Sequence, residues 1–300
     1  MPIMTYQAGP HEYEVCENWA KLPKSLNVDQ VCAVTVGKSD HVFILNRGDN
    51  PVIELDPEGN VVKPWDFAMA DPHGIHADSK GNIYLADRGT HLITKHDVSG
   101  TLLMTLGTKN KPSDTGYEKG GEHVPVMRSA EPFNAPAGIA VADNGQIFVA
   151  DGYGNARIHK FSAEGELLLS WGKPGRTEPG AFNLVHGIGF NKEGNLLICD
   201  RENHRMQVFN QDGKHLATWT GFQQPMDVIV DSDGTIFIPE LPSRISVVDS
   251  TGKILNRWGG TRSTDPGGFT EVHGIAMDSS GNIYVGEVTE NGRIQKFARV

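Results

Sequence analysis

LVHGIGFNKEGNLLICDRENHRMQVF, residues 184–209, is one copy of the unit from which most of the chain is built. It reads as a short apolar strand opening at HGI, a tight turn at KEGN, a second apolar strand ending in Asp, a polar loop and a third strand. The same order recurs in DPHGIHADSKGNIYLADRGTHLITKH (71–96), APAGIAVADNGQIFVADGYGNARIHKF (135–161), QPMDVIVDSDGTIFIPELPSRISVV (224–248) and EVHGIAMDSSGNIYVGEVTENGRIQKF (271–297). A degenerate copy, VCAVTVGKSDHVFILNRGDNPVIEL, covers 31–55. Units of this kind bury their apolar faces only by stacking on one another, so six of them predict an all-β fold, a six-bladed β-propeller. The stretches LLMTLG, LLLSWG, HLATWTG and KILNRWGG follow copies two to five and predict a fourth, outermost strand for each blade. No such stretch follows copy six. The orphan segment YEVCENW (13–19) is therefore expected to pair with the last blade and close the ring, removing an exposed sheet edge. The repeat runs unbroken to the end, which argues for one domain over 1–300.

Composition narrows the partners. A net charge of −10 disfavours nucleic acid and anionic membranes, which are bound chiefly through clustered Lys and Arg. The 35 glycines suit many short strands joined by tight turns. No apolar run approaches the roughly 18 residues of a membrane-spanning helix, and the segment MPIMTYQAGPHEYEV lacks the charged and apolar regions of a secretory leader. Cys16, Cys32 and Cys199 make no CxxC or similar spacing, so neither a disulfide framework nor a cysteine metal site is expected. These features point to a cytoplasmic protein. Oligomeric state leaves no signal.

The repeat also fixes a register. The residue opening the first strand is Cys32, His73, Ala137, His186, Met226 and His273 in copies one to six. Histidine thus occupies every second copy, and alternate wedges of a sixfold ring lie about 120° apart. If the slot faces the axis, three imidazoles converge, an arrangement suited to a metal with an open coordination position. Strand alternation puts His76 on the face opposite His73, outside that group. The loops after the second strands should lie at the same end as the slot; they carry Arg47, Arg88 and Arg201 in equivalent positions and Tyr153 one place further on. Guanidinium groups and a phenol around a histidine cluster suit a small carboxylate substrate whose reacting oxygen meets a Lewis acid. Each residue also has a plainer reading. A lone His before a strand is commonly a hydrogen-bonded packing residue, and a lone loop Arg a solvated charge. Asp87, Asp151 and Asp200 recur as turn-stabilising carboxylates, and Arg157, Arg205, Arg244 and Arg293 as repeat framework. The insertion at 107–134 is long enough to be a binding loop or lid, or else a surface excursion.

Taken together, NRGD, PHGI, DGYGNARI, VHGI with DRENHRMQ, and VHGIAMD resemble peptidyl-α-hydroxyglycine α-amidating lyase, and more closely the bacterial branch of NHL-repeat proteins similar to it. The resemblance spans nearly the whole chain. It implies a zinc-dependent lyase, with iron as the alternative metal, that splits an N-acyl-α-hydroxyglycine into an amide and glyoxylate. In that reading His73, His186 and His273 are the metal ligands, Tyr153 is the catalytic base, and Arg47 and Arg201 hold the substrate carboxylate; Arg88, in the same loop slot, is a further substrate-binding candidate on the residue pattern alone. The sequence departs from the animal branch at Gly154, where those members have Cys, and at Gly274, where they have an Asp that helps hold a structural calcium ion; calcium is accordingly not expected. Two other readings stay open: a metal-dependent hydrolase or lactonase on the same ring, and a non-catalytic NHL interaction module.

Overall fold

The computed structural model describes residues 5–118 and 125–300; residues 119–124, inside the 107–134 insertion, lie outside the described residues. The chain is all-β, a six-bladed β-propeller of antiparallel blades. It divides into two compact units.

The unit spanning Met69–Pro225 carries blades two to four. Blade two is Pro72–Ala77, Ile83–Asp87, Leu92–His96 and Leu102–Leu106. Blade three is Pro136–Val141, Ile147–Asp151, Arg157–Phe161 and Leu167–Trp171. Blade four is Val185–Phe190, Leu196–Asp200, Arg205–Phe209 and His215–Trp219. Successive strands pair in order in each blade, with the predicted fourth strand outermost. Apolar faces meet between blades, as the periodicity requires: Tyr84 and Ile93 pack with Phe133 and Val149, and Phe148 and Ile158 pack with Phe182 and Phe209. Glycine after the slot permits this approach. A Cβ on Gly74 would lie 2.2 Å from the Ala137 carbonyl oxygen, and one on Gly138 would lie 2.5 Å from that of His186.

The other unit carries blades one, five and six. Blade one is Ala33–Val36, Val42–Leu45, Val52–Leu55 and Val61–Pro64. Blade five opens with a strand of only Ile229–Val230, although the repeat predicts one from Met226. There the Asp227 carboxylate accepts a hydrogen bond from the Val228 N–H at 2.9 Å, and the neighbouring strand Ile236–Glu240 carries Pro239, which has no N–H to give a ladder. Blade six is Val272–Met277, Ile283–Glu287 and Arg293–Arg299. Its fourth strand is His11–Cys16, which pairs antiparallel with Arg293–Arg299, as the orphan segment predicts, but shifted toward the N-terminus from 13–19. Thr5–Ala8 adds a fifth strand that the sequence reading did not anticipate.

Tyr13 anchors this closing strand. Its side chain is fully buried, with its ring 6.0 Å from those of Phe237 and Trp258. The phenol oxygen has no hydrogen-bond partner among the described residues, and burial pushes its pKa up. Tyr13→Ala is therefore expected to cost about 3–5 kcal/mol, as for other large buried aromatics. Tyr13→Phe should be neutral or slightly stabilising, because it removes only an unpaired buried hydroxyl. Denaturant midpoints of the two variants check both expectations.

The acid that ends the second strand in blades two to six is buried. Asp200 accepts from the Asn183 N–H, Asn203 Nδ2, Arg205 Nε and Gln207 Nε2. Burial works against these donors and pushes its carboxyl above the usual carboxylate range. Glu287 is held by Thr270, Arg293 and Gln295, and Glu240 by Arg244 and Ser246. Arg205, Arg244 and Arg293 are thus framework residues in their own blades.

Candidate active site

In blades two, three, four and six the first strand does not follow simple alternation, whether the slot holds histidine or, in blade three, Ala137. Pro72 pairs with Asp87 while Gly74 pairs with Ala86, so His73 is the extra, bulged residue. The same shift falls at His273, between Val272 and Gly274, and at His186, between Val185 and Ile188. A bulge re-aims the side chain of its extra residue. The alternation argument for His76 therefore does not apply as it stands, although His76 is engaged elsewhere: its Nε2 accepts from the Val141 N–H, and burial lowers its pKa to about 4.

In blades two to four the loop after the second strand is tied to the backbone just before the slot. The Arg88 N–H donates to the Asp71 carbonyl at 3.0 Å, that of Arg201 to Leu184 at 3.1 Å, and that of Tyr153 to Ala135 at 3.4 Å. Loop and slot thus occupy the same end of each blade.

Within the unit Met69–Pro225 five of the predicted residues come together. His73 and His186 are buried, 2% and 3% exposed, with ring centroids 4.7 Å apart. His73 Nδ1 lies 3.1 Å from the Ala137 carbonyl oxygen. A carbonyl only accepts, so Nδ1 carries the proton and Nε2 presents its lone pair. That Nε2 is 3.0 Å from the Tyr153 hydroxyl, and His186 Nε2 is 3.2 Å from the same oxygen. Arg201 Nη1 donates to it at 3.1 Å. Arg201 is itself held through Nε by Glu202 at 2.9 Å, and Glu202 accepts from Gln224 Nε2. Arg88 lies over the Tyr153 ring, 4.4 Å from its centroid. A cavity of about 810 Å³ opens beside Tyr153 and Arg201, with Tyr117, Val126, Leu184 and Arg176 among its walls.

The insertion supports this loop. Thr115, 1% exposed, donates through Oγ1 to the Gly154 carbonyl, and Asn134 Nδ2 donates to Thr115 Oγ1 at 3.0 Å. Sequence reading did not single out Thr115, Asp71 or Glu202. Asp71 adjoins the PHGI motif and Glu202 lies within DREN, but neither residue recurs at its position in the other copies.

The other unit holds His273 and Arg47. His273 is buried, and its Nδ1 meets the Cys32 carbonyl oxygen at 2.5 Å. Its tautomer is thereby the one that His73 adopts. Arg47 donates its backbone N–H to the Asp29 carbonyl at 2.8 Å and its Nη1 to Gln30 Oε1.

The donor set fits a metal. The His73 and His273 imidazoles each give their Nδ1 proton to a backbone carbonyl, the support that metal-bound histidines ordinarily have. In the blade two to four unit, two Nε2 atoms approach one phenol that carries a single proton.

Repeated four-stranded blades with a buried histidine slot and a polar loop rim define a repeat propeller with an internal polar site. The NHL repeat model matches residues 69–95, 133–161, 182–209 and 269–297. NHL repeat-containing protein 3 of Homo sapiens is 30% identical over 253 residues, covering 79% of this chain and 69% of that protein. The chain belongs to the NHL repeat-containing proteins. Peptidyl-alpha-hydroxyglycine alpha-amidating lyase 1 of Drosophila melanogaster is 34% identical over 178 residues, which is 54% of this chain and 29% of the fly protein. The match thus spans under a third of that relative's length. In structure, a gluconolactonase of Xanthomonas campestris aligns with a TM-score of 0.68 at 13% identity, over 100% of this chain and 95% of that one, a likeness of fold alone. Among the described residues no helix is long and apolar enough to cross a membrane.

Proposed function

We propose that this protein is a metal-dependent carbon–nitrogen lyase that splits an N-acyl-α-hydroxyglycine into a primary amide and glyoxylate. The observation that carries the reading is the Tyr153 oxygen within hydrogen-bond reach of two buried imidazole Nε2 atoms and the Arg201 guanidinium. The metal ligands are His73, His186 and His273, the three histidines of one repeat slot, and zinc is the metal such a neutral imidazole set favours. Bound there, the ion would supply Lewis acidity toward the substrate hydroxyl.

The chain's own groups do the rest. Arg47 and Arg201 hold the carboxylate, Arg201 in an orientation set by Glu202. Tyr153 acts from its phenolate form, having given up its own proton, and accepts the substrate hydroxyl proton. The oxygen's electron pair forms the aldehyde C=O, the C–N bond breaks with its pair going to nitrogen, and the proton passes to that nitrogen. Amide and glyoxylate together account for every atom of the substrate. Three thiols, Cys16, Cys32 and Cys199, suit a reducing compartment, and we place the enzyme in the cytoplasm.

The test is direct. Supplied with N-benzoyl-α-hydroxyglycine, the metal-loaded protein should release glyoxylate and benzamide in equal amounts. Benzoate in place of benzamide, or opening of a lactone without any glyoxylate formation, would support the hydrolase instead. A protein that binds no metal and turns over neither substrate would be an interaction module.

A further inference from the structure

We infer that Arg88, clamped by Asp71, is a positioning residue that holds the Tyr153 ring in place rather than a ligand for the substrate carboxylate. The inference rests on the reading of Tyr153 as the base. Arg88 Nε and Nη2 donate to the two Asp71 carboxylate oxygens at 2.8 and 3.0 Å, and its backbone N–H donates to the Asp71 carbonyl at 3.0 Å. The bidentate pair commits one edge of the guanidinium to Asp71 and fixes the plane of the group. Its guanidinium carbon lies over the Tyr153 ring, 4.4 Å from the centroid. A guanidinium plane against an aromatic face is an attractive, orientation-dependent contact.

The contrast with Arg201 assigns the roles. Arg201 points a donor at the phenol oxygen, 3.1 Å away, and its carbon lies 5.9 Å from the ring centroid, too far out for close stacking. One arginine therefore meets the reacting end of Tyr153 while the other covers its flank. The Tyr153 N–H lies 3.4 Å from the Ala135 carbonyl and the Gly154 N–H 2.9 Å from that of Asn134, a backbone anchorage that leaves the flank of the ring untouched. The Arg88 plane supplies lateral support that this backbone contact does not. A reacting atom misplaced by about 1 Å can lose on the order of a hundredfold in rate, so a positioning contact has a measurable effect.

Steady-state kinetics of Arg88→Met, Arg88→Lys and Asp71→Asn test the assignment. Arg88→Met should lower kcat about tenfold or more with KM unchanged. Asp71→Asn, which removes no group from the active site, should move kcat in the same direction, and Arg88→Lys should recover part of the loss because an ammonium keeps the charge over the ring. A rise in KM with kcat retained in Arg88→Met, together with a silent Asp71→Asn, would make Arg88 a carboxylate ligand and overturn the inference. A structural arm is independent of any activity: crystals of Arg88→Met should show the Tyr153 ring displaced from the His73 and His186 imidazoles. A ring left in place overturns the positioning role even if the wild-type protein proves not to be a lyase. If the ring moves while no glyoxylate forms from the wild type, the proposed reaction alone is lost.

Discussion

Tyr153→Phe should depress turnover of an N-acyl-α-hydroxyglycine by about 10²–10⁴-fold, the range for removal of a general acid–base group, while the bound metal stays. The separation follows from the contacts. The substitution removes only the hydroxyl that faces His73 Nε2, His186 Nε2 and Arg201 Nη1. The ring persists, so the Arg88 stack at 4.4 Å and the edge contact with His73 at 4.9 Å between centroids persist with it. The imidazole tautomer is also untouched, because His73 Nδ1 is fixed by the Ala137 carbonyl and not by the phenol. KM should change little, since the carboxylate is assigned to the arginines. Initial rates, with metal analysis of the same sample, read both quantities. An unchanged kcat would remove Tyr153 from the chemistry.

His186→Ala should fail in the opposite way, losing the metal and with it activity. Lewis-acid stabilisation contributes several kcal/mol, and each 1.4 kcal/mol is about tenfold in rate, so the expected loss is about a thousandfold or more. His186 is 3% exposed, and truncation there also leaves a cavity. His186→Asn keeps most of the volume and isolates the loss of the ligand. Both variants should retain a β-sheet circular dichroism spectrum while metal content falls after dialysis. Retained metal and retained turnover would contradict the ligand assignment.

Much of this architecture is legible in the residues because one physical constraint is repeated. Each blade must bury the same apolar face, so Ile83, Ile147, Leu196 and Ile283 stand at the same point of the pattern, and all are buried. The closing strand is legible for the complementary reason: blade six lacks a partner that a sheet edge needs, and His11–Cys16 supplies it. The bulge at the slot is less legible. Period-two reasoning assumes an unbroken ladder, and nothing in HGI announces that His73 has no residue opposite it. Blade five departs from the pattern at two residues, Asp227, whose carboxylate takes the Val228 N–H, and Pro239, which offers no N–H. The supports of the site were missed for a third reason. Asp71 and Glu202 each serve a single arginine, and Thr115 reaches Gly154 across 39 residues, so none leaves a repeat signature.

The central claim is that the three slot histidines form one ligand set, and His273 tests it most directly. His73 and His186 share the Tyr153 oxygen within one unit of the chain, while His273 is joined to them by repeat register and by the tautomer its Cys32 carbonyl contact imposes. The decisive measurement is bound metal per chain, by elemental analysis after dialysis, for wild type and His273→Ala. The account predicts a single ion per chain in the wild type and its loss in His273→Ala, as in His73→Ala and His186→Ala. Full metal occupancy in His273→Ala, with loss confined to the other two variants, would contradict it.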